Sequence, residues 1–130
     1  MPPNLFLLFN HTFTPAQAQA AAAQLGVGEI VPLPAALQAM WSQVPADLPE
    51  LRPYLQPLRQ WLDRHAQPGD YVLIQGDFGA TYLMVTFAMA RRLKPIYATT
   101  ERQASEATLA DGTVRMVHHF QHRIFRSYGV

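Results

Sequence analysis

The sequence predicts one α/β domain over residues 1–130: an open, mainly parallel sheet of four strands flanked by helices, followed by a C-terminal antiparallel hairpin. Short apolar runs alternate with helical patterns, which is the order of a parallel sheet with right-handed crossovers. The length of 130 residues and the hydrophobic content of 49% suit a single domain with a substantial core. Asp111-Gly112 stands between two strand-like runs, where this dipeptide is the strongest short-range hairpin signal.

The individual elements follow from local signals. Strands are predicted at 4–9, 29–33, 70–75 and 96–99, and the third is the strongest. Helices are predicted at 14–26, 34–44, 57–66 and 78–93. Thr14 and Pro15 supply the N-cap and first position of the first helix, and Gly26 ends it. The proline in EIVPL places the second strand at a sheet edge.

The composition and charge exclude several classes of protein and of site. The net charge of +1 gives the whole chain no strong attraction to long nucleic acid or to a membrane, and the absence of Cys removes disulfides and thiolate metal sites. No apolar run of about 18 residues is present, and the N-terminus lacks a basic segment of the signal-peptide type, so a cytoplasmic location is expected. The segment 115–130 has three Arg, three His and no acidic residue, which predicts a local basic patch or a solvated strand.

Ligands of open α/β sheets bind outside the carboxyl ends of the strands. That rule selects the four loops that follow the predicted strands as the candidate site. They are Asn10-His11-Thr12, Pro34, the segment 76–81, and the segment 99–103.

The third of these loops has the ingredients of a phosphate cradle. Gly76 and Gly79 allow close backbone approach, and the helix that follows points its free N–H groups at the loop, with Thr81 adding a hydroxyl. Asp77 opposes this interpretation, because it repels phosphate unless it caps the helix or accepts a hydrogen bond from a ribose hydroxyl or an adenine amino group. Gly-x-x-Gly is equally typical of an ordinary tight strand-to-helix turn.

Other candidate residues have alternative roles. His11 can move a proton near neutral pH or hydrogen bond within its turn. Thr99, Thr100 and Arg102 can bind phosphate oxygens, or they can form a helix N-cap beside a solvent-facing Arg. His118 and His119 are adjacent in a predicted strand and so point to opposite faces; with His122 they favour a basic surface, and we predict no metal site and no cofactor.

Three segments resemble a known family. NLFLLFNH near the start, DYVLIQGDFGATY in the middle and PIYATTER after it are similar to a small CRISPR-associated accessory family of type III systems. The resemblance covers nearly the whole chain. It implies a Rossmann-like domain, a cyclic oligoadenylate second messenger as ligand, and a homodimer with the ligand across its two-fold axis. Related proteins are ring nucleases that cleave this messenger and so switch off the antiviral response.

With that ligand, cleavage is expected to be metal-independent, through attack of a ribose 2′-hydroxyl on the neighbouring phosphate of cyclic tetra-adenylate. His11 is the predicted proton-transfer residue, and Thr100 and Arg102 are predicted to stabilise charge on the phosphate. The predicted ligand-binding residues are Asn10, Thr12, Gln75, Gly76, Asp77, Phe78, Gly79, Ala80, Thr81 and Thr99. Two alternatives stay open: a non-catalytic sponge or sensor of the same messenger, and an unrelated nucleotide-processing α/β enzyme.

Overall fold

A five-stranded sheet forms the centre of the molecule. The computed structural model describes the backbone of residues 1–130 and every side chain except those of residues 103 and 118. The strands are β1 (Leu5–Phe9), β2 (Ile30–Pro32), β3 (Tyr71–Gln75), β4 (Lys94–Thr108) and β5 (Val114–Ser127). The helices are α1 (Pro15–Leu25), α2 (Ala35–Ser42), α3 (Gln56–His65) and α4 (Phe78–Ala90). No helix in the described chain has the length and apolar character needed to cross a membrane.

The strand order is β2-β1-β3-β4-β5. The first four strands are parallel, and β5 is antiparallel to β4, so the predicted mixed α/β class is confirmed. Pro32 lies in the edge strand β2, as predicted, where its missing N–H costs no ladder bond. Phe9 pairs with Gln75, and Ala98 lies beside Gln75, so β1 and β3 end at the same level of the sheet and β4 continues past that level.

The helices divide between the two faces of the sheet. The connection through α1 leads from β1 to β2 at one edge of the sheet, and the connection through α4 leads from β3 to β4 in the opposite direction. Right-handed crossovers therefore put α1 and α4 on opposite faces. The buried clusters agree. Ala21 of α1 packs against Leu7 on one face. On the other face, Trp41 of α2, Leu58 of α3 and Met84 of α4 belong to a single cluster.

The fourth strand is longer than the sequence predicts. β4 continues without a break to Thr108, so the predicted fourth strand and the first strand of the hairpin are one element. Residues 101–108 are mostly polar, and their strand conformation comes from pairing with β5 out to Thr108↔Val114. The predicted turn is confirmed: the carboxylate of Asp111 accepts bonds from the backbone and hydroxyl of Thr113, and Gly112 has φ 84°.

A β-bulge interrupts the pairing of β4 and β5. Ala98 pairs with Phe125, but Thr100 pairs with His122, so β5 carries one extra residue. The hydroxyl of Thr99 fills the irregularity, since Oγ1 accepts from the Ile124 N–H at 3.1 Å and lies 3.2 Å from the Ile124 carbonyl oxygen. The bulge turns both His122 and Phe125 toward the α1 face, with ring centroids 4.6 Å apart.

Candidate functional site

A cavity of about 490 Å³ lies at the carboxyl ends of β1 and β3, beside Ala98 and Thr100 within β4, on the face covered by α1. We call it the carboxyl-end cavity. It is lined by Phe9, His11, Thr12, Thr14, Gln17, Gln75, Ala98, Thr100, Phe120 and His122. None of these lining residues carries a carboxylate, so an anionic ligand there meets hydroxyl, amide and imidazole groups rather than a like charge.

Gln75 is held in one orientation at the floor of this cavity. Its Oε1 accepts a hydrogen bond from the Ala98 N–H at 2.7 Å, and its backbone carbonyl accepts the indole N–H of Trp41 at 3.0 Å. Because a backbone N–H can only donate, the side-chain atom facing Ala98 must be the amide oxygen. The two N–H donors of the Gln75 amide are therefore the polar atoms this side chain offers to a ligand.

The start of α1 supplies a second fixed amide. Thr14 and Gln17 form a capping box: Gln17 Oε1 accepts from the Thr14 N–H at 2.9 Å, and Thr14 Oγ1 accepts from the Gln17 N–H at 3.1 Å. Gln17 is buried, and its Oε1 is engaged, so its amide NH₂ is again the available donor. The positive end of the α1 dipole lies at the same wall of the cavity.

Two histidines line the cavity in different environments. His11 is exposed and packs its ring edgewise on Phe9, with centroids 5.5 Å apart. The ring nitrogens of His122 are shielded from solvent and have no hydrogen-bond partner among the described residues. Burial lowers the pKa of His122 below its ordinary value of 6.5, which favours the neutral imidazole at pH 7. In that form it adds no positive charge to the tail that the sequence predicts to be basic.

The structure brings four of the predicted site residues together in the cavity: His11, Thr12, Gln75 and Thr100. Arg102 lies two residues beyond Thr100 on the same face of β4 and is exposed. It pairs with Phe120 of β5, which itself lines the cavity. Asn10 is exposed at the end of β1 and precedes His11, outside the lining. The first predicted loop thus meets the segment 99–103, although the prediction of a loop there is wrong, because pairing with β5 makes this segment part of β4.

The predicted cradle at Gly76 lies at the same end of the sheet but outside the cavity lining. The residues predicted to form this cradle, which lie outside the lining, are Gly76, Asp77, Phe78, Gly79, Ala80 and Thr81. A Cβ on Gly76 would lie 2.9 Å from indole atoms of Trp41, and the Asp77 carboxylate N-caps α4 by accepting the Ala80 N–H at 3.0 Å. Packing and capping therefore explain this turn. Right-handed crossovers carry α4 to the face opposite α1, which the loop pattern alone does not reveal.

Sequence reasoning assigned no ligand role to Phe9, Thr14, Gln17, Ala98, Phe120 or His122. The spacing of Thr14 and Gln17 is a capping-box signature, which locates the helix start. The sequence does not show that the start of α1 faces the cavity, because this arrangement depends on the fold. Thr99, predicted to bind ligand, instead directs its hydroxyl to the backbone of Ile124 in the bulge.

Comparison with known proteins gives the family. The model of the "Uncharacterized protein MJ1673 family" matches residues 3–126. The "Uncharacterized protein MJ1673" of Methanocaldococcus jannaschii is 47% identical over 126 residues, which cover 97% of this chain and 97% of the relative. No solved structure matches the chain. Neither name assigns a ligand or a reaction, so the CRISPR-associated resemblance stays a prediction.

Proposed function

We propose that this chain, which belongs to the MJ1673 family, binds a cyclic oligoadenylate in the carboxyl-end cavity and cleaves it to linear products, ending type III CRISPR signalling. One observation carries the proposal. The cavity presents the amide N–H donors of Gln17 and Gln75 and the hydroxyls of Thr12 and Thr100, and none of the described side chains that line it is a carboxylate. Neutral donors fixed in place by other bonds suit phosphodiester oxygens.

The position of the cavity supports a nucleotide ligand. We propose that the fold is Rossmann-like. From β1 the chain crosses to β2 at one edge of the sheet, and from β3 it crosses to β4 on the other side. The direction of the strand order therefore changes between β1 and β3. Doubly wound sheets bind nucleotides at this switch point, outside the carboxyl ends. Phe9 ends β1 and Gln75 ends β3, and both line the cavity.

The size of the cavity supports a shared ligand. A volume of about 490 Å³ lies within the usual range of small-molecule pockets and suits a part of a cyclic tetra-adenylate rather than the whole ring. We therefore propose a homodimer in which two cavities hold one ring across the two-fold axis, since a symmetric ring presents the same groups to both protomers. Phe120, 71% exposed at the cavity wall, offers an aromatic face on which an adenine can stack.

The proposed reaction is an internal transesterification. A ribose 2′-oxygen forms a bond to the adjacent phosphorus while the bond from phosphorus to the 5′-oxygen breaks, giving a linear product with a 2′,3′-cyclic phosphate and a 5′-hydroxyl. The proton leaves the 2′-hydroxyl and one is returned to the 5′-oxygen, so the reaction consumes no water. His11 is assigned the proton transfer because it lines the cavity and remains exposed to solvent.

The remaining groups are assigned to the phosphate. Thr100 lines the cavity and can donate its hydroxyl to a non-bridging oxygen. Arg102 lies two residues beyond Thr100 on the same face of β4, and its long side chain can span the distance back to a phosphate bound at Thr100. His122, neutral and shielded, packs beside Phe125 and supports the wall of the cavity without carrying charge.

Incubation with excess cyclic tetra-adenylate tests the proposal, with a chelator present and the products identified by mass. Linear products with a 2′,3′-cyclic phosphate under multiple turnover support the ring nuclease. Tight binding without products supports a sponge or sensor. Mononucleotides that bind as well as the ring favour a nucleotide-processing enzyme, and failure to bind any of these ligands contradicts the proposal.

A further inference from the structure

We infer that a second anion site, independent of the proposed function, lies between α3 and α4 and binds a phosphate monoester group. The site is a cleft of about 190 Å³ on the face of the sheet opposite α1. Three arginines line it: Arg52 from the loop before α3, Arg59 from α3 and Arg91 from the end of α4. We call it the arginine cleft.

Two of the three arginines contact one aromatic ring. The guanidinium carbons of Arg59 and Arg91 lie 4.9 and 4.7 Å from the centroid of Phe87, which is buried in the core. Cation–π contacts of this kind restrict the positions of both groups before a ligand arrives. Because both guanidinium carbons lie within about 5 Å of one centroid, they are at most about 10 Å apart, and two cations at this separation raise the local affinity for an anion.

The described side chains balance only part of the charge of the cleft. Arg91 donates its Nε–H to Asp63 at 2.9 Å, which uses one of its five N–H donors. Among the side chains that the structure describes, no ion pair joins Arg52 or Arg59 to a carboxylate. Three cations and one carboxylate leave a local excess of about two positive charges.

That excess and the small volume favour a phosphate monoester. A monoester carries −1.5 to −2 charges at pH 7, roughly equal to the excess, and guanidinium groups bind its oxygens in bidentate fashion. A cleft of about 190 Å³ is smaller than the usual pocket for a drug-sized ligand, so it suits the phosphate and leaves the rest of the molecule in solvent. A nucleic-acid backbone, with one charge on each phosphate, calls for a longer basic track.

Isothermal titration of the full-length protein tests the inference, with inorganic phosphate and adenosine 5′-monophosphate as probes. The variants are Arg59→Ala, the matched control Arg64→Ala on the exposed side of the same helix, and Phe87→Leu, which keeps an apolar core residue but removes the ring. Arg59→Ala is expected to weaken binding of both probes at least about tenfold, Phe87→Leu several-fold, and Arg64→Ala less than about twofold. Arg52→Ala, in an exposed loop, serves as the second variant if Arg59→Ala fails to fold.

The two probes distinguish the source of the phosphate through the binding that Arg59→Ala removes. Equal affinities in this part of the binding indicate a free-phosphate site, and tighter binding of the nucleotide indicates a phosphorylated metabolite. Equal losses in Arg59→Ala and Arg64→Ala overturn the inference, because they indicate only general charge. So does the absence of binding at millimolar phosphate, or binding of single-stranded RNA alone. Arg59→Ala should leave binding of cyclic tetra-adenylate unchanged, so the fate of this site and that of the carboxyl-end cavity are read separately.

Discussion

Gln75 and Ala98 join β3 to β4 through a side chain. The Oε1 of Gln75 accepts the Ala98 N–H at 2.7 Å, just beyond the last backbone pairing of these strands at Leu73↔Ile96. The same amide turns its NH₂ group toward the carboxyl-end cavity. One residue thus extends the sheet and contributes to the candidate site, and the two roles belong to different atoms of its amide.

Gln75→Glu separates these roles. A carboxylate oxygen still accepts the Ala98 N–H, so the free energy of unfolding should change by less than about 1 kcal/mol, while the lost donors and the added charge should weaken binding of cyclic tetra-adenylate at least about tenfold. Gln75→Leu is the matched variant, and by leaving the buried Ala98 N–H unpaired it should cost about 1–3 kcal/mol. Denaturant unfolding and ligand titration measure both quantities. Unchanged affinity in Gln75→Glu would remove this side chain from the site.

Gly76→Ala should destabilise the fold by about 1–3 kcal/mol, because the new Cβ lies 2.9 Å from the buried indole of Trp41, which is anchored to the Gln75 carbonyl. Gly79→Ala is the control. Its Cβ would approach Leu51 no closer than 3.4 Å, and alanine favours the helix, so stability should stay unchanged or rise by up to about 1 kcal/mol. Urea unfolding of both variants measures the difference, and equal effects would contradict the packing explanation of Gly76.

His122 makes stability depend on pH in a predictable direction. Burial lowers its pKa below 6.5 in the folded state, so below that pH the unfolded chain binds more protons. The contribution of neutral His122 is complete above pH 6.5 and is lost as pH falls from 6.5 toward and through the folded-state pKa. His122→Asn removes the titration, and its free energy of unfolding should fall less steeply over this window. Identical slopes for variant and wild type would show that burial does not affect His122 in this way.

His11→Ala should lower the rate of ring cleavage by about a hundredfold or more while changing the binding affinity only a few-fold, because a proton-transfer group acts mainly in the transition state. His65→Ala is the control, since His65 is exposed on α3, with Nδ1 2.8 Å from the Trp61 carbonyl oxygen, and lies outside the cavity lining. Single-turnover kinetics beside equilibrium titration provide both numbers. Equal losses of rate and affinity would instead make His11 a positioning residue.

Local signals in the sequence predict most of the secondary structure. The Thr14-Pro15 start and the Gly26 end of α1 are confirmed, with Gly26 at φ 66°. Pro32 marks the edge strand, and Asp111-Gly112 marks the hairpin turn, since each has a conformational requirement that few other residues meet. These predictions succeed because the physical cause lies within a few residues of the signal.

Features that depend on distant contacts could not be predicted. Pairing with β5 extends β4 to Thr108 through a polar segment, and the strand conformation of this segment depends on its partner strand. The bulge that turns His122 into the cavity arises from pairing, and nothing in the local sequence marks it. Likewise the sequence predicts a helix after Gly76 but not that α4 lies opposite α1, so the predicted cradle and the actual cavity fall on different faces.

Mapping of the ligand site by amide chemical shifts on titration with cyclic tetra-adenylate tests the central claim most directly. The largest changes are expected at four residues of the cavity lining and should be lost in Gln75→Glu at the same ligand concentration. The four residues are Thr12, Gln17, Gln75 and Thr100. Saturation without shifts at these residues, or shifts confined to the α3–α4 face, would contradict it.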